Sequence, residues 1–99
     1  MGTIHHHILD RSNKPCITFE WPDTKINEGT SIAGGYATIL HGHMESIIKC
    51  IEINNIAKAK LKLIYYSKLS ENQALYILNY IKNNIMKITD IPEDAFLYG

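Results

Sequence analysis

The sequence predicts an α+β fold: a small antiparallel sheet of about four strands, arranged as two hairpins, with a C-terminal amphipathic helix packed on one face. Three observations lead there. Residues 57–66 alternate small or apolar side chains with lysines, the period-2 pattern of a strand with one buried and one wet side. Apolar residues at 74, 77, 78, 81, 85 and 88 recur at the spacing of one helical face. Neither element covers its apolar side alone, so each needs the other.

Taken in order, residues 3–9 (Thr-Ile-His-His-His-Ile-Leu) are β-branched and apolar enough for a strand, and residues 10–15 supply turn chemistry. Residues 16–21 form a second strand with Ile17, Phe19 and Trp21 on one face, giving an N-terminal hairpin that Pro22 ends. Residues 22–35 are polar and carry Gly29, Gly34 and Gly35, and read as a surface loop. They lack the Gly-Lys-Ser/Thr ending of a phosphate cradle.

Residues 36–53 fit two patterns. Met44, Ile47, Ile48 and Ile51 suit a short helix. The same stretch suits a strand that turns at Asn54-Asn55, since Asn tolerates positive φ. The strand reading is preferred because it sets Ile48 opposite Leu61 and Cys50 opposite Ala59. Ser70 with Gln73 forms a capping box that opens a helix over residues 71–87. Pro92 lies beyond it, in an acidic–aromatic tail spanning residues 89–99. The whole of residues 1–99 reads as one domain.

Ten basic and ten acidic side chains cancel, so no global field draws the chain to nucleic acid or an anionic membrane. No apolar run approaches the roughly 20 residues of a membrane span, and the start of the chain lacks the pattern of a secretory leader. Cys16 and Cys50 are too few and too far apart for a disulfide framework, which points to free thiols and a cytoplasmic setting. Seventeen isoleucines, no valine and nine lysines against one arginine point to AT-rich coding, as in a bacterium or phage.

Three side-chain groups are candidates for function. His5 and His7 share a strand face, as would His41 and His43, and four converging imidazoles would suit zinc. The spacing matches no zinc signature, so the expectation is no metal and no cofactor; the triplet His5 to His7 also suits a tag remnant. Lys58, Lys60 and Lys62, with Lys49 opposite and Tyr66 farther along, would make a basic aromatic strip for nucleic acid. On the helix, Asn72, Tyr76, Asn79, Tyr80, Asn83 and Lys87 lie opposite the apolar stripe, and paired exposed tyrosines suit a protein interface. A cysteine–histidine–acid assembly has no supporting motif, so catalysis is not expected.

The leading expectation is a small protein-binding or inhibitor module, immunity- or antitoxin-like, that occludes a partner protein such as a toxin or host enzyme. A nucleic-acid module using the lysines and a zinc protein using the histidines are the alternatives.

Overall fold

The computed structural model describes residues 4–10 and 12–89. In chain order these hold β1 (Ile4–Leu9), β2 (Pro15–Trp21), β3 (Thr24–Asn27), β4 (Thr30–Ile32), β5 (Gly35–Leu40), α1 (His41–Glu52), α2 (Ile56–Ser67), α3 (Glu71–Asn83) and α4 (Ile85–Thr89). The fold is α+β, with an antiparallel sheet ordered β1-β2-β5 and a separate β3-β4 ribbon.

The N-terminal hairpin forms where the sequence places it. The Asp10 carboxylate accepts from the backbone N–H of Ser12 (2.9 Å) and Lys14 (2.7 Å), and Asn13 takes the left-handed conformation at φ 63°. The register sets His5 opposite Phe19 and His7 opposite Ile17, with Ala37 and Ile39 of β5 across from the same two β2 residues. That side of the sheet is the core side: Ile17, Phe19, Trp21, Ala37 and Ile39 are buried. The other side is open, with exposed His6, Glu20 and Tyr36 around a Thr18–Thr38 hydroxyl hydrogen bond of 3.0 Å.

Residues 22–35 are not a plain loop. Their Thr and Ile residues form the β3-β4 ribbon, reversed at Gly29 with φ +81°, a conformation that favours glycine. Asp23 Oδ1 accepts from Gly34 N at 2.6 Å, and Trp21 Nε1 donates to Ala33 O at 3.1 Å, which ties the ribbon to the sheet.

The expected second hairpin is instead a pair of helices. Residues four apart satisfy both a period of 2 and a period of 3.6, so Ala59 and Leu63 are buried in either reading. The residues between them decide. A strand would bury Ala57 and Leu61 as well, yet both are exposed, Leu61 at 62%. Ala, Leu and Lys are strong helix formers, and only Ile64 in residues 57–66 is β-branched. Asn54 does take positive φ (61°), but it ends α1, and the Asn55 side chain accepts from Lys58 N at 3.3 Å to cap α2. Residues 36–53 accordingly split at Leu40 into a strand and a helix that buries Met44, Ile47, Ile48 and Cys50.

The capping box at α3 is present as expected, Ser70 Oγ accepting from Gln73 N and Gln73 Oε1 from Ser70 N. Ala74, Ile77, Leu78 and Ile81 are buried, and Ile88 joins the same core from α4. The expected single helix over 71–87 is interrupted at Asn84, whose side chain Nδ2 donates back to Tyr80 O at 2.9 Å. Thr3 and residues 90–99, most of the acidic–aromatic tail, lie outside the described residues.

Candidate functional site

Helix α2 runs between α1 and α3 and makes polar contacts with both. Lys60 Nζ meets Glu71 Oε1 of α3 at 2.9 Å, and Lys62 Nζ donates to Ser46 Oγ of α1 at 2.8 Å. Ala59 and Leu63 point into the core between these contacts. The outward stripe is therefore Lys58, Leu61 and Tyr65, spaced by three and four residues, with exposed Lys68 just past the end of the helix. Leu61 is 62% and Tyr65 79% exposed. Tyr65 packs edge-on against Tyr66 (5.4 Å between ring centroids), and Tyr66 in turn stacks flat on His43 of α1 at 3.8 Å. The aromatic Tyr65 is thus held from behind while its outer side stays in water.

This stripe differs from each site the sequence suggested. The lysine ladder does not exist as a ladder, because residues on a helix that are two apart diverge by about 200°. Lys58 is exposed, Lys60 and Lys62 are engaged with opposite neighbours, and Lys49 is exposed on α1 rather than opposite Lys60. Tyr66 is half-buried.

The paired tyrosines of α3 are not in open solvent either. Tyr76 packs near Trp21 (6.3 Å), and Tyr80 packs edge-on against Phe19 (5.9 Å) and hydrogen-bonds His5 Nδ1 at 3.0 Å. Burial, and secondarily the neighbouring Tyr76, pushes the Tyr80 phenol above its ordinary pKa. Asn72, Asn79 and Asn83 do lie in solvent, while the Lys87 side chain lies outside the described residues.

Of the four histidines proposed for zinc, two meet and one stays apart. His7 Nδ1 lies 3.1 Å from His41 Nε2, and His5 is beside His7 with ring centroids 5.6 Å apart. His43 is committed to Tyr66, and His41 and His43 stand on α1 rather than on a strand, so their one-residue spacing does not put them on one face. Among the described residues no group of three or more His, Cys, Asp or Glu side chains is placed to hold a metal ion.

Both cysteines are buried, and burial, then the Asp10 charge, raises the Cys16 thiol pKa above its usual range. A shallow depression of about 230 Å³ opens at the start of α1, lined by Lys14, Pro15, Leu40, Gly42 and His43, a set without thiol, hydroxyl or carboxylate. No helix among the described residues is long and apolar enough to cross a membrane.

Leu61 and Tyr65 were missed because the strand reading placed Leu61 in the core. Read at 3.6 residues per turn, the sequence shows them one turn apart and opposite Ala59 and Leu63. No protein-family model matches the chain, and no curated protein and no solved structure is detectably similar to it.

Proposed function

We propose that the protein is a small cytoplasmic protein-binding module, of the immunity or antitoxin kind, that occludes an acidic patch on a partner protein with the outward stripe of α2. The supporting observation is the exposure of Leu61 and Tyr65, one turn apart, on a helix whose inner face already fills the core. Adjacent exposed apolar side chains of this size suit a binding surface more than a free one. Tyrosine supplies rigid contact area with a polar tip. Lys58 and Lys68 flank the pair, and α2 carries no acid, so the complementary surface is acidic with an apolar centre. The abundance of exposed Asn on α3 supplies neutral polar groups for a rim.

The test compares wild-type protein with Leu61→Ser/Tyr65→Ser as baits in the native host. The variant should keep its melting temperature and lose a protein that the wild type retains. Retention of the same proteins by both baits would overturn the proposal. Exposed Tyr65 between lysines also suits a stacked base in single-stranded nucleic acid. Capture of nucleic acid, with affinity falling steeply in salt, would replace the protein reading with that one.

A further inference from the structure

Strand β1 is an edge of the three-stranded sheet, and the inward side chains that follow one another along it are His5 and His7. At these positions, opposite Phe19 and Ile17, an edge strand ordinarily carries apolar residues that seal the core. Here the strand reaches the helices through imidazoles. His7 meets His41 of α1 at 3.1 Å, with the rings edge-on at 86°, and His5 meets Tyr80 of α3 at 3.0 Å. The two contacts fall on different helices, so between them they clamp the strand to the helical layer.

We propose that this row is a proton-operated latch, which holds β1 on the helices until His7 and His41 are both protonated and then lets the strand go. The chemistry is set by the number of protons the pair holds. In the neutral pair one ring N–H donates to the lone pair of the other ring. One added proton leaves that bond in place, now charge-assisted. A second added proton removes the last lone pair on the shared line, so two N–H donors and two positive charges face each other at hydrogen-bond distance. The two imidazoles titrate as one coupled unit, with the breaking step the second of the two.

The surroundings resist the second charge. His41 is partly buried, which pushes its pKa below 6.5; the Cys16 backbone and the Glu45 carboxylate pull it partly back. Among the described residues, the other titratable groups near the row include His5 on β1, Tyr80 and Tyr76 on α3, and Asp10 and Lys14 at the turn joining β1 to β2. Tyr80, whose phenol is pushed above its ordinary value, is neutral across the range where histidine titrates. Because His41 is less basic in the fold than in the open chain, its contribution to stability is full above about pH 6.5 and is lost as the pH falls toward the lowered value. Release of β1 would uncover the outer edge of β2 and the inward side chains of Ile17 and Phe19.

Backbone hydrogen exchange on the full chain tests the latch. After correction for intrinsic rates, β1 amides should lose about tenfold or more of their protection between about pH 7.5 and about pH 5, while α3 amides keep theirs. His7→Gln/His41→Gln, which exchanges a hydrogen bond without titrating, should hold β1 at both pH values. Constant β1 protection in the wild type would overturn the proposal. So would parallel loss in α3, which would mean global unfolding, or an undiminished pH response in the double variant. Should that variant not fold, NMR titration of the wild type decides: His7 and His41 should titrate together with the β1 amides, and independent titrations near pH 6.5 would overturn the latch.

Discussion

The Tyr80 hydroxyl lies 3.0 Å from His5 Nδ1, joining α3 to the edge strand β1 across the boundary between helices and sheet. The same ring packs edge-on against buried Phe19. Tyr80 therefore serves the fold. Tyr80→Phe should cost about 1 kcal/mol for the lost hydrogen bond. Tyr80→Ala should cost about 2 kcal/mol, less than a fully buried aromatic because the residue is only partly buried. Tyr65→Ala, at 79% exposure, should stay within about 0.5 kcal/mol. Thermal melts of the three variants check this order. Equal stabilities for Tyr80→Ala and Tyr65→Ala would contradict it.

The raised Tyr80 phenol predicts an alkaline limit. The folded state favours the protonated form, chiefly through burial. Its contribution is full below the ordinary value of 10.0 and is lost as the pH rises through the raised folded value. Urea midpoints should therefore fall more between about pH 9 and about pH 11 in the wild type than in Tyr80→Phe. Coincident slopes for the two proteins would rule out Tyr80 as the group responsible.

Cys16 should be an inert thiol. It is 2% exposed, its Sγ donates to Lys14 O at 3.5 Å, and burial disfavours the thiolate that any alkylating reagent needs. In a Cys50→Ser background, native protein should react with a thiol reagent at least about a hundredfold more slowly than protein in denaturant. Rapid labelling of the native state would mean that the β1–β2 end of the sheet opens far more readily than its packing implies.

How much of this was legible in the sequence depends on which residues carried the signal. Ile17, Phe19 and Trp21 alternate over a short run, and the capping box of Ser70 and Gln73 is local chemistry, so β2 and the start of α3 could be read directly. The segment around Ala59 and Leu63 could not, because a spacing of four fits both periods and Lys58, Lys60 and Lys62 happened to alternate with the apolar residues. Leu61 and Tyr65 disappeared with that choice. The meeting of His7 and His41 was half legible: the histidines were visible as candidates, but the placement of His41 on α1 depends on where β5 stops. Tyr76 and Tyr80 read as exposed only if α3 packs on a single surface. In the fold α3 contacts α1 and α2 and also sets these rings against Trp21 and Phe19 of the sheet, so more of its circumference is covered.

The glycines order themselves by what a methyl group would meet. At Gly34 an added Cβ would lie 2.8 Å from Asp23 N and 2.9 Å from both Pro22 C and Trp21 O. All three are backbone atoms, which cannot swing aside as a side chain can. Gly34→Ala should therefore cost about 2 kcal/mol. It should also displace the ribbon, weakening the Trp21 Nε1 to Ala33 O bond and shifting Trp21 fluorescence to the red. Gly29 has open space around the same position but a φ of +81°, so Gly29→Ala should cost about 1 kcal/mol through backbone strain alone, with no change in Trp21 emission. Gly42 lies in the first turn of α1 with nothing within 4 Å, and Gly42→Ala should stabilise by about 0.5 kcal/mol through helix propensity. Melting temperature and tryptophan emission, measured on the three variants, give the ranking Gly42→Ala, Gly29→Ala, Gly34→Ala from most to least stable. Wild-type emission and stability in Gly34→Ala would show that the ribbon is not seated against the end of β2.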